Sequence, residues 1–365
     1  MGEERHSGVS QRLTEEQLET YSRQIVLRDI GYEGQLKLRK AKACIVGLGG
    51  LGCPSAVQLT AMGIGGLRLV DRDVVERSNL QRQHLYDVKS IGYPKVEVAA
   101  ERLKKLNPDV DMEPLPLSLN ADNVEEIVKD VDVVVDGLDR MGPRYAINRA
   151  CVRFKVPYIF GAAIESTGNV STIIPYKTPC LECFLPELDD ESLPTCAVVG
   201  VHPAVIGIVS SLEVAEAVRV IIGDTPQLTN KILYCDLRTM SFEKVNVSRA
   251  EECPVCGVNP RGQPAPLKWT FVEEICGRGG KRTFVVNPKK DLALNLNSLH
   301  SVLRKNGFAV KIKARLGLTF EYSKNVKVSL LKSGVMIVER AENQDYVVKI
   351  YRELVGEGGF KGVEE

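Results

Sequence analysis

The sequence predicts a doubly wound α/β fold followed by a smaller α+β domain. Three observations lead there. Short apolar runs alternate with helix-like stretches through the first two-thirds of the chain. A glycine turn, GLGGLG at residues 47–52, stands between the first such run and the first helix. A Pro- and Gly-rich stretch, GVNPRGQPAPLK at 257–268, precedes a change in composition. Apolar runs joined through helices form parallel strands covered on both faces. The length of 365 residues suits two or three domains. The expected division is an N-terminal tail over 1–20, a large α/β unit over 21–260 and a small basic domain over 261–365.

In chain order the elements are KACIVG (42–47), a helix from about Pro54, LRLVD (67–71), a helix from Pro94 to Leu106, VDVVVD (131–136), a helix from Pro143 to Phe154, and PYIFGA (157–162). Three of these helices open with Pro in the first turn, where its missing N–H has no intrahelical partner to lose. Ligands of such sheets gather at the carboxyl ends of strands, so Asp71, Asp73, Asp136 and Asp139 are expected along one edge. The tail carries β-like runs KWTFVEEI, RTFVVN, FAVKIKA, LTFEY and VKVSLLKSGVMIVE, with helices near Leu296–Lys305 and Asn343–Leu354 and a hairpin turn at KSG. The stretch Cys276 to Arg282, CGRGGKR, has the Cys-x5-Arg form of an anion loop. TFVV follows it directly where a helix is needed, so a Gly-rich hairpin is the better reading.

Hydrophobic residues make up 44% of the chain, yet no run approaches the roughly 20 apolar residues of a membrane span. No charged-then-apolar leader opens it, so a soluble, cytoplasmic protein is expected. Two pairs among the ten cysteines stand as CxxC, which in a reducing compartment points to metal or catalysis rather than disulfides. From Arg261 onward there are 19 Lys and Arg against 11 Asp and Glu, so a tail of +8 follows a body of −7. Without interleaved aromatics this is a solvated basic face or the seat of an acidic protein partner, not a nucleic-acid surface.

The glycine turn lets backbone approach a phosphate at a helix N-terminus. Asp71, 19 residues past Gly52, has the spacing of an acid that takes ribose hydroxyls, and NAD, FAD and ATP all remain open at this point. The segment that follows, DRDVVERSNLQRQHLYDVKSIGYPK (71–95), narrows the choice. A nicotinamide enzyme has no need of Asn79, Arg82, Gln83 and Lys95 beyond the ribose acid, whereas a nucleoside triphosphate losing pyrophosphate needs cations over its phosphates. Arg82 and Lys95 read as phosphate clamps. Asp139 reads as a carboxylate for Mg²⁺, which takes one or two carboxylates together with phosphate oxygens.

YSRQIVL (21–27), GLGGLG, DRDVVERSNLQRQ, GYPK and GLDRMGPRYAIN (137–148), in this order, resemble the ubiquitin-activating-enzyme-like adenylyltransferases, the ThiF/MoeB/HesA group. The resemblance runs from about Tyr21 to Gly257. It implies a Rossmann-like adenylation domain that binds ATP and Mg²⁺ and adenylates the C-terminal carboxylate of a small β-grasp protein ending in Gly-Gly. It implies nucleotide contacts from Gly47, Gly49, Gly50, Gly52, Asp71, Asp73, Asn79, Arg82, Gln83, Lys95 and Asp139. It also implies a homodimer in which Arg23 reaches the partner's ATP. Many members have Asp-Asn where this chain has Asp139-Arg140, which puts the contacts of that Asn in question.

Cys180, Cys183, Cys253 and Cys256 form CLEC and CPVC, the paired ligands of a four-thiolate zinc site. The 70 positions from Cys183 to Cys253 exceed a zinc ribbon, but the family places structural zinc at this pair. Cys196, in LPTCAVVGVHP, is unpaired and matches the family's loop cysteine, a nucleophile for thioester formation in some members. Cys44, Cys53, Cys151 and Cys235 read as small core hydrophobes. By its place after the adenylation domain, the tail domain resembles the ubiquitin-fold domain that recruits a conjugating enzyme. The leading expectation is activation of a ubiquitin-like modifier for conjugation. The alternative is activation of a sulfur carrier for molybdopterin, thiamine or tRNA thiolation.

Overall fold

The computed structural model describes residues 12–188, 190, 199–276 and 282–356. The first sheet has eight strands: β1 Lys42–Val46, β2 Gly66–Val70, β3 Asp111–Leu115, β4 Val133–Asp136, β5 Tyr158–Ile164, β6 Thr167–Ile173, β7 Lys231–Asp236 and β8 Ser241–Asn246. Their order is β3-β2-β1-β4-β5-β6-β7-β8, parallel from β3 to β5 and antiparallel from β5 onward. The strand order reverses beside β1, between β1 and β4, which is where such a sheet opens a crevice for a ligand.

The helices are α1 Glu15–Thr20, α2 Ser22–Ile25, α3 Gly31–Lys40, α4 Gly52–Ala61, α5 Lys95–Leu106, α6 Val124–Val128, α7 Met141–Phe154, α8 Leu181–Phe184 and α9 Pro203–Ile222. Pro54 and Pro143 lie in the first turns of α4 and α7, while Pro94 is the N-cap of α5. One apolar core lies under α4, α5 and α9; a second lies on the other face under α6 and α7. The described part of the expected N-terminal tail is ordered: Thr14 and Gln17 form a capping box on α1, and Gln17 Nε2 donates to Asp109 at 2.7 Å.

A second sheet follows, with β9 Val272–Cys276, β10 Arg282–Val286, β11 Ala309–Lys313, β12 Gly317–Glu321, β13 Lys327–Leu331 and β14 Met336–Glu339, and with helices α10 Leu296–Lys305 and α11 Gln344–Val355. Its order is β11-β12-β13-β14-β10-β9 and every pair is antiparallel. Here β10, the second strand of the β9–β10 hairpin, lies antiparallel to the last strand β14, whereas a ubiquitin fold pairs its first and last strands in parallel. Arg282 pairs with Cys276 in that hairpin, as the reading of CGRGGKR requires, though its tip lies outside the described residues.

Side chains alternate across a strand, and here both faces are covered. Phe284 and Val286 of β10 enter a core with α10 and α11. Val285, Leu331, Val335 and Ile337 point the other way onto Val74 of the first unit. Polar contacts surround that seam. Glu97 of α5 accepts from the backbone N–H groups of Arg315 (2.9 Å) and Leu316 (2.7 Å), and Thr319 Oγ1 donates to the Gly92 carbonyl at 2.7 Å. The tail domain is therefore seated on the GYPK segment that leads into α5.

Glu97→Ala leaves two N–H groups at the seam without their acceptor, at a cost of about 1–3 kcal/mol. Urea melts of the full chain are expected to show that loss, and Glu97→Gln, which keeps an acceptor oxygen, is expected to lose less.

Candidate functional site

The glycine turn is built by close backbone approach. Gly47 has φ +89°, which disfavours a side chain, and a β-carbon there would lie 2.4 Å from the Gly137 carbonyl oxygen. A β-carbon on Gly52 would lie 1.8 Å from the Gly47 oxygen, and one on Gly137 would lie 2.1 Å from it. These glycines are required by the fold itself. Gly50 faces Ile206 and Arg82, at 2.8 and 3.7 Å from a β-carbon. Gly49 differs: the nearest atoms to its β-carbon position are Gly137 O at 3.8 Å and Gln83 Nε2 at 3.9 Å, so no protein atom demands a glycine there.

Asp71 closes the turn from β2. One carboxylate oxygen accepts from Leu48 N–H and the other from Asp73 N–H, each at 2.7 Å. Burial pushes the Asp71 carboxyl up, with Lys95 opposing that shift. Lys95, buried at the start of α5, donates to Asp73 at 2.8 Å. Burial works against the lysine's charge, but Asp71 and then Asp73 outweigh it and raise its pKa. Asn79 Oδ1 accepts from Glu76 N–H at 2.9 Å, fixing the turn that carries Arg82 and Gln83. Arg82 Nη1 donates to the Ser78 carbonyl at 3.1 Å. Gln83 is 3% exposed, and its Oε1 is buried without a hydrogen-bond partner among the described residues. An open position beside Gly49 and an orphaned carboxamide oxygen next to it are what a nucleotide site offers before its ligand binds.

All four acids stand at the carboxyl ends of β2 and β4, but Asp136 turns inward. Asp136 is fully buried: its Oδ2 accepts from Arg144 Nε at 3.0 Å and from Tyr158 Oη at 2.5 Å, and its Oδ1 from Leu138 N–H at 2.8 Å. It points inward because it is the last residue of β4, on the face covered by α7. Arg144 also donates to the Leu138 (2.7 Å) and Gly161 (2.8 Å) carbonyls and lies over the Phe160 ring. Asp136 thus shapes the loop that presents Asp139. Asp139 is exposed and makes no side-chain hydrogen bond or ion pair with a described residue, so its carboxylate is available to a hard cation beside the glycine turn. Asp190, which sequence reasoning did not single out, accepts from Met141 and Gly142 N–H at 2.5 and 3.0 Å and caps α7. No local pattern signals this, because its partners lie 49 and 48 positions away.

Arg23 is exposed on α2. Gln24 beside it donates to the Met62 carbonyl at 3.0 Å, just past the end of α4 whose other end is Gly52. A ten-residue helix is about 15 Å long, so Arg23 stands at the opposite end of the sheet from its own chain's turn. Cys196 lies outside the described residues.

The four paired cysteines converge, all sulfurs lying within 4.8 Å of one another. Cys180–Cys183, Cys180–Cys253 and Cys183–Cys256 are 3.9, 3.7 and 3.4 Å apart. Zinc at about 2.3 Å from each of four thiolates sets them about 3.8 Å apart, so the donor set and spacing fit a closed tetrahedral site. Arg249 braces it, donating through Nε to the Cys256 carbonyl at 2.8 Å and through Nη1 to the Tyr176 carbonyl at 2.7 Å. Cys44 and Cys53 are core thiols, pushed up to about 12 by burial.

Elemental analysis is expected to find one zinc per chain. Cys253→Ser is expected to lose it and to lower the thermal midpoint, because the site joins segments whose docking otherwise rests on packing.

Glu213 of α9 is fully buried, and neither carboxylate oxygen has a hydrogen-bond partner among the described residues; it sits in room left by the missing side chain of Gly161. Burial, then Asp136, push its carboxyl well up, with Arg144 opposing. A carboxyl whose folded pKa is raised costs nothing below its unfolded pKa of about 4.3, and stability is lost as pH rises from there to the folded value. Relative to its value at pH 4, the stability of Glu213→Gln is expected to gain on the wild type by about 1.4 kcal/mol per pH unit within that window, read from urea melts at several pH values.

Comparison with known proteins bears on this geometry. The ThiF family matches residues 21–255. The chain is 40% identical over 272 residues to the sulfur carrier protein adenylyltransferase of Thermus thermophilus, covering 73% of this chain and 99% of that one. It is 39% identical to the SAMP-activating enzyme E1 of Haloferax volcanii over 66% of this chain and 89% of that one, and 36% identical to the molybdopterin-synthase adenylyltransferase of Escherichia coli over 67% and 98%. A solved structure of E. coli MccB with MccA-N7isoASN superposes with a TM-score of 0.60 at 27% identity, over 65% of this chain and 75% of that one. A glycine turn closed by Asp71, an exposed Asp139 at the switch point and sequence kinship across both lead to one assignment: the chain belongs to the ThiF family of adenylyltransferases.

Proposed function

We propose that the chain uses ATP to adenylate the C-terminal Gly-Gly carboxylate of a small β-grasp carrier, and that this carrier is a sulfur carrier. The carboxylate attacks the α-phosphorus, the bond to the bridging oxygen breaks, and pyrophosphate leaves with the electron pair, giving an acyl-adenylate. The observation that carries the reading is the open position at Gly49 beside the orphaned Gln83 Oε1, with Asp71 and Lys95 behind it and Asp139 free in front. Asp71 keeps a second lone pair on each oxygen for the ribose hydroxyls, and Arg82 and Lys95 supply positive charge where the leaving pyrophosphate gains negative charge. Mg²⁺, held by Asp139 and triphosphate oxygens, would neutralise charge on the departing group. Zinc at the four cysteines leaves no open position and serves structure. Tyr234 and Val245, exposed on one face of the β7–β8 pair, offer the carrier an apolar patch.

The name of the Thermus relative, a sulfur carrier protein adenylyltransferase, favours this reading over conjugation. The name of the Haloferax relative, an activating enzyme, keeps conjugation as the second reading. In that reading Cys196 takes the acyl group as a thioester, and a conjugating enzyme docks on the C-terminal domain. A carrier adduct cleaved by reducing thiol and lost in Cys196→Ala would favour it. No adduct, with an intact acyl-adenylate, favours sulfur transfer.

Purified chain with a Gly-Gly-terminated carrier is expected to exchange labelled pyrophosphate into ATP, and Asp139→Ala is expected to lower the rate at least about a hundredfold. Exchange that proceeds without a carrier, or survives Asp139→Ala, sinks the proposal.

The exposed Arg23, flanked by exposed Val26 and Leu27 at the far end of α4, supports a homodimer in which each Arg23 serves the partner's site. Equal mixtures of inactive Arg23→Ala and Asp139→Ala chains then regain about a quarter of wild-type exchange, since half the dimers are mixed and each of those holds one intact site. No recovery in a demonstrated mixed dimer rules out the shared site.

A further inference from the structure

The tail domain reaches the strand ends through one carboxylate that the reaction above does not use. Glu273, on β9, accepts at Oε2 from Arg72 Nη2 (2.9 Å) and from Arg140 Nη1 (2.6 Å). Arg72 stands between Asp71 and Asp73, the acids behind the glycine turn, and Arg140 directly follows Asp139. One oxygen thus ties the loop after β2 to the loop after β4, and both loops carry proposed nucleotide residues. Burial alone would push the Glu273 carboxyl up, but Arg72 and then Arg140 outweigh it and hold it below the usual carboxylate range. Burial likewise works against the charge of Arg72, which Glu273, Asp73 and Asp139 sustain in that order. Asp139 is therefore within electrostatic reach of Arg72. Arg72 Nη1 is further held by Asn287 Oδ1 (3.0 Å) and Ser118 Oγ (3.2 Å), and Arg140 Nε faces Asp190 at 3.7 Å.

We propose that Glu273 is a positioning residue for the adenylation site: by holding Arg72 and Arg140 it keeps both guanidinium groups off Asp139 and leaves that carboxylate to the divalent cation of a bound nucleoside triphosphate. The inference rests on the adenylation reading. Without Glu273, the nearest anions for the freed Arg140 are its neighbour Asp139 and Asp190, and an arginine paired with Asp139 competes with the cation for it. Arg140 directly follows Asp139 in the chain, and Glu273 is the group that makes an arginine tolerable beside a cation-binding acid.

The test is Mn²⁺ binding to the full-length chain in the presence of α,β-methylene ATP, followed by electron paramagnetic resonance of the free ion. Glu273→Gln is expected to weaken Mn²⁺ binding about tenfold. Adding Arg140→Gln to it is expected to recover most of that loss, which a merely structural role of Glu273 would not allow, and Glu273→Asp is expected to fall between. Unchanged Mn²⁺ affinity in Glu273→Gln overturns the proposal, as does a loss that Arg140→Gln leaves in place. A wild-type chain that binds no Mn²⁺ with the nucleotide removes the adenylation reading and this inference together, whereas wild-type binding with a silent Glu273→Gln removes this inference alone. If Glu273→Gln fails to fold, the comparison of Glu273→Asp with Glu273→Asp/Arg140→Gln decides in the same way.

Discussion

The backbone crossing of Gly47 and Gly137 is the constraint from which the site follows. At that point the turns leaving β1 and β4 pass so closely that a β-carbon on either residue would meet a carbonyl of the other at 2.4 or 2.1 Å. The contact forces the two loops into one crevice at the switch point of the sheet. Asp71 then locks the first loop through Leu48, and the Asp136–Arg144 pair locks the second through the Leu138 carbonyl. Breaking a buried pair of this kind from one side typically costs about 3–5 kcal/mol. The crevice is thus held from behind by buried charged pairs, and the position beside Gly49 is left open.

Much of this was legible in the sequence. β1, β2, β4 and β5 show as apolar runs because they are buried on both faces, and the helices announce themselves through their prolines. β3 is silent for a physical reason: it is an edge strand, half exposed, with Pro114 inside it, and such a segment carries neither an apolar run nor clean alternation. The paired cysteines could be read because thiolate spacing is itself the chemistry. Asp136 stands at the expected strand end, but its inward turn is silent in the sequence, because an acid there looks the same whether it faces solvent or an arginine eight positions on. Glu273 and Asp190 could not be found at all. Their meaning comes from partners 133 and 49 positions away, and only the folded chain brings those together.

The C-terminal domain changes its meaning once its seat is known. Its basic composition suggested a surface for partners, yet the contacts it makes inward run through acids and backbone: Glu97 to two N–H groups, Glu273 to two arginines, Thr319 to a carbonyl. Most of its charge stays outside, and its second apolar face is spent on Val74. A chain lacking this domain exposes Val74 and takes Glu273 away from Arg72 and Arg140 at the strand ends, so the two units are expected to depend on each other.

The thiolate clamp has an evolutionary consequence. Zinc at the four cysteines would join positions 183 and 253 and close everything between them, including α9, β7 and β8, into one loop. The entropy of closing a loop grows only with the logarithm of its length, each doubling costing about 0.6 kcal/mol. A closure of this kind would tolerate insertions in the exposed turns between the pins, as long as α9, β7 and β8 keep their seats in the core and the sheet. Such a scaffold can acquire new segments over its active face, and with them new carriers, without first having to refold its core.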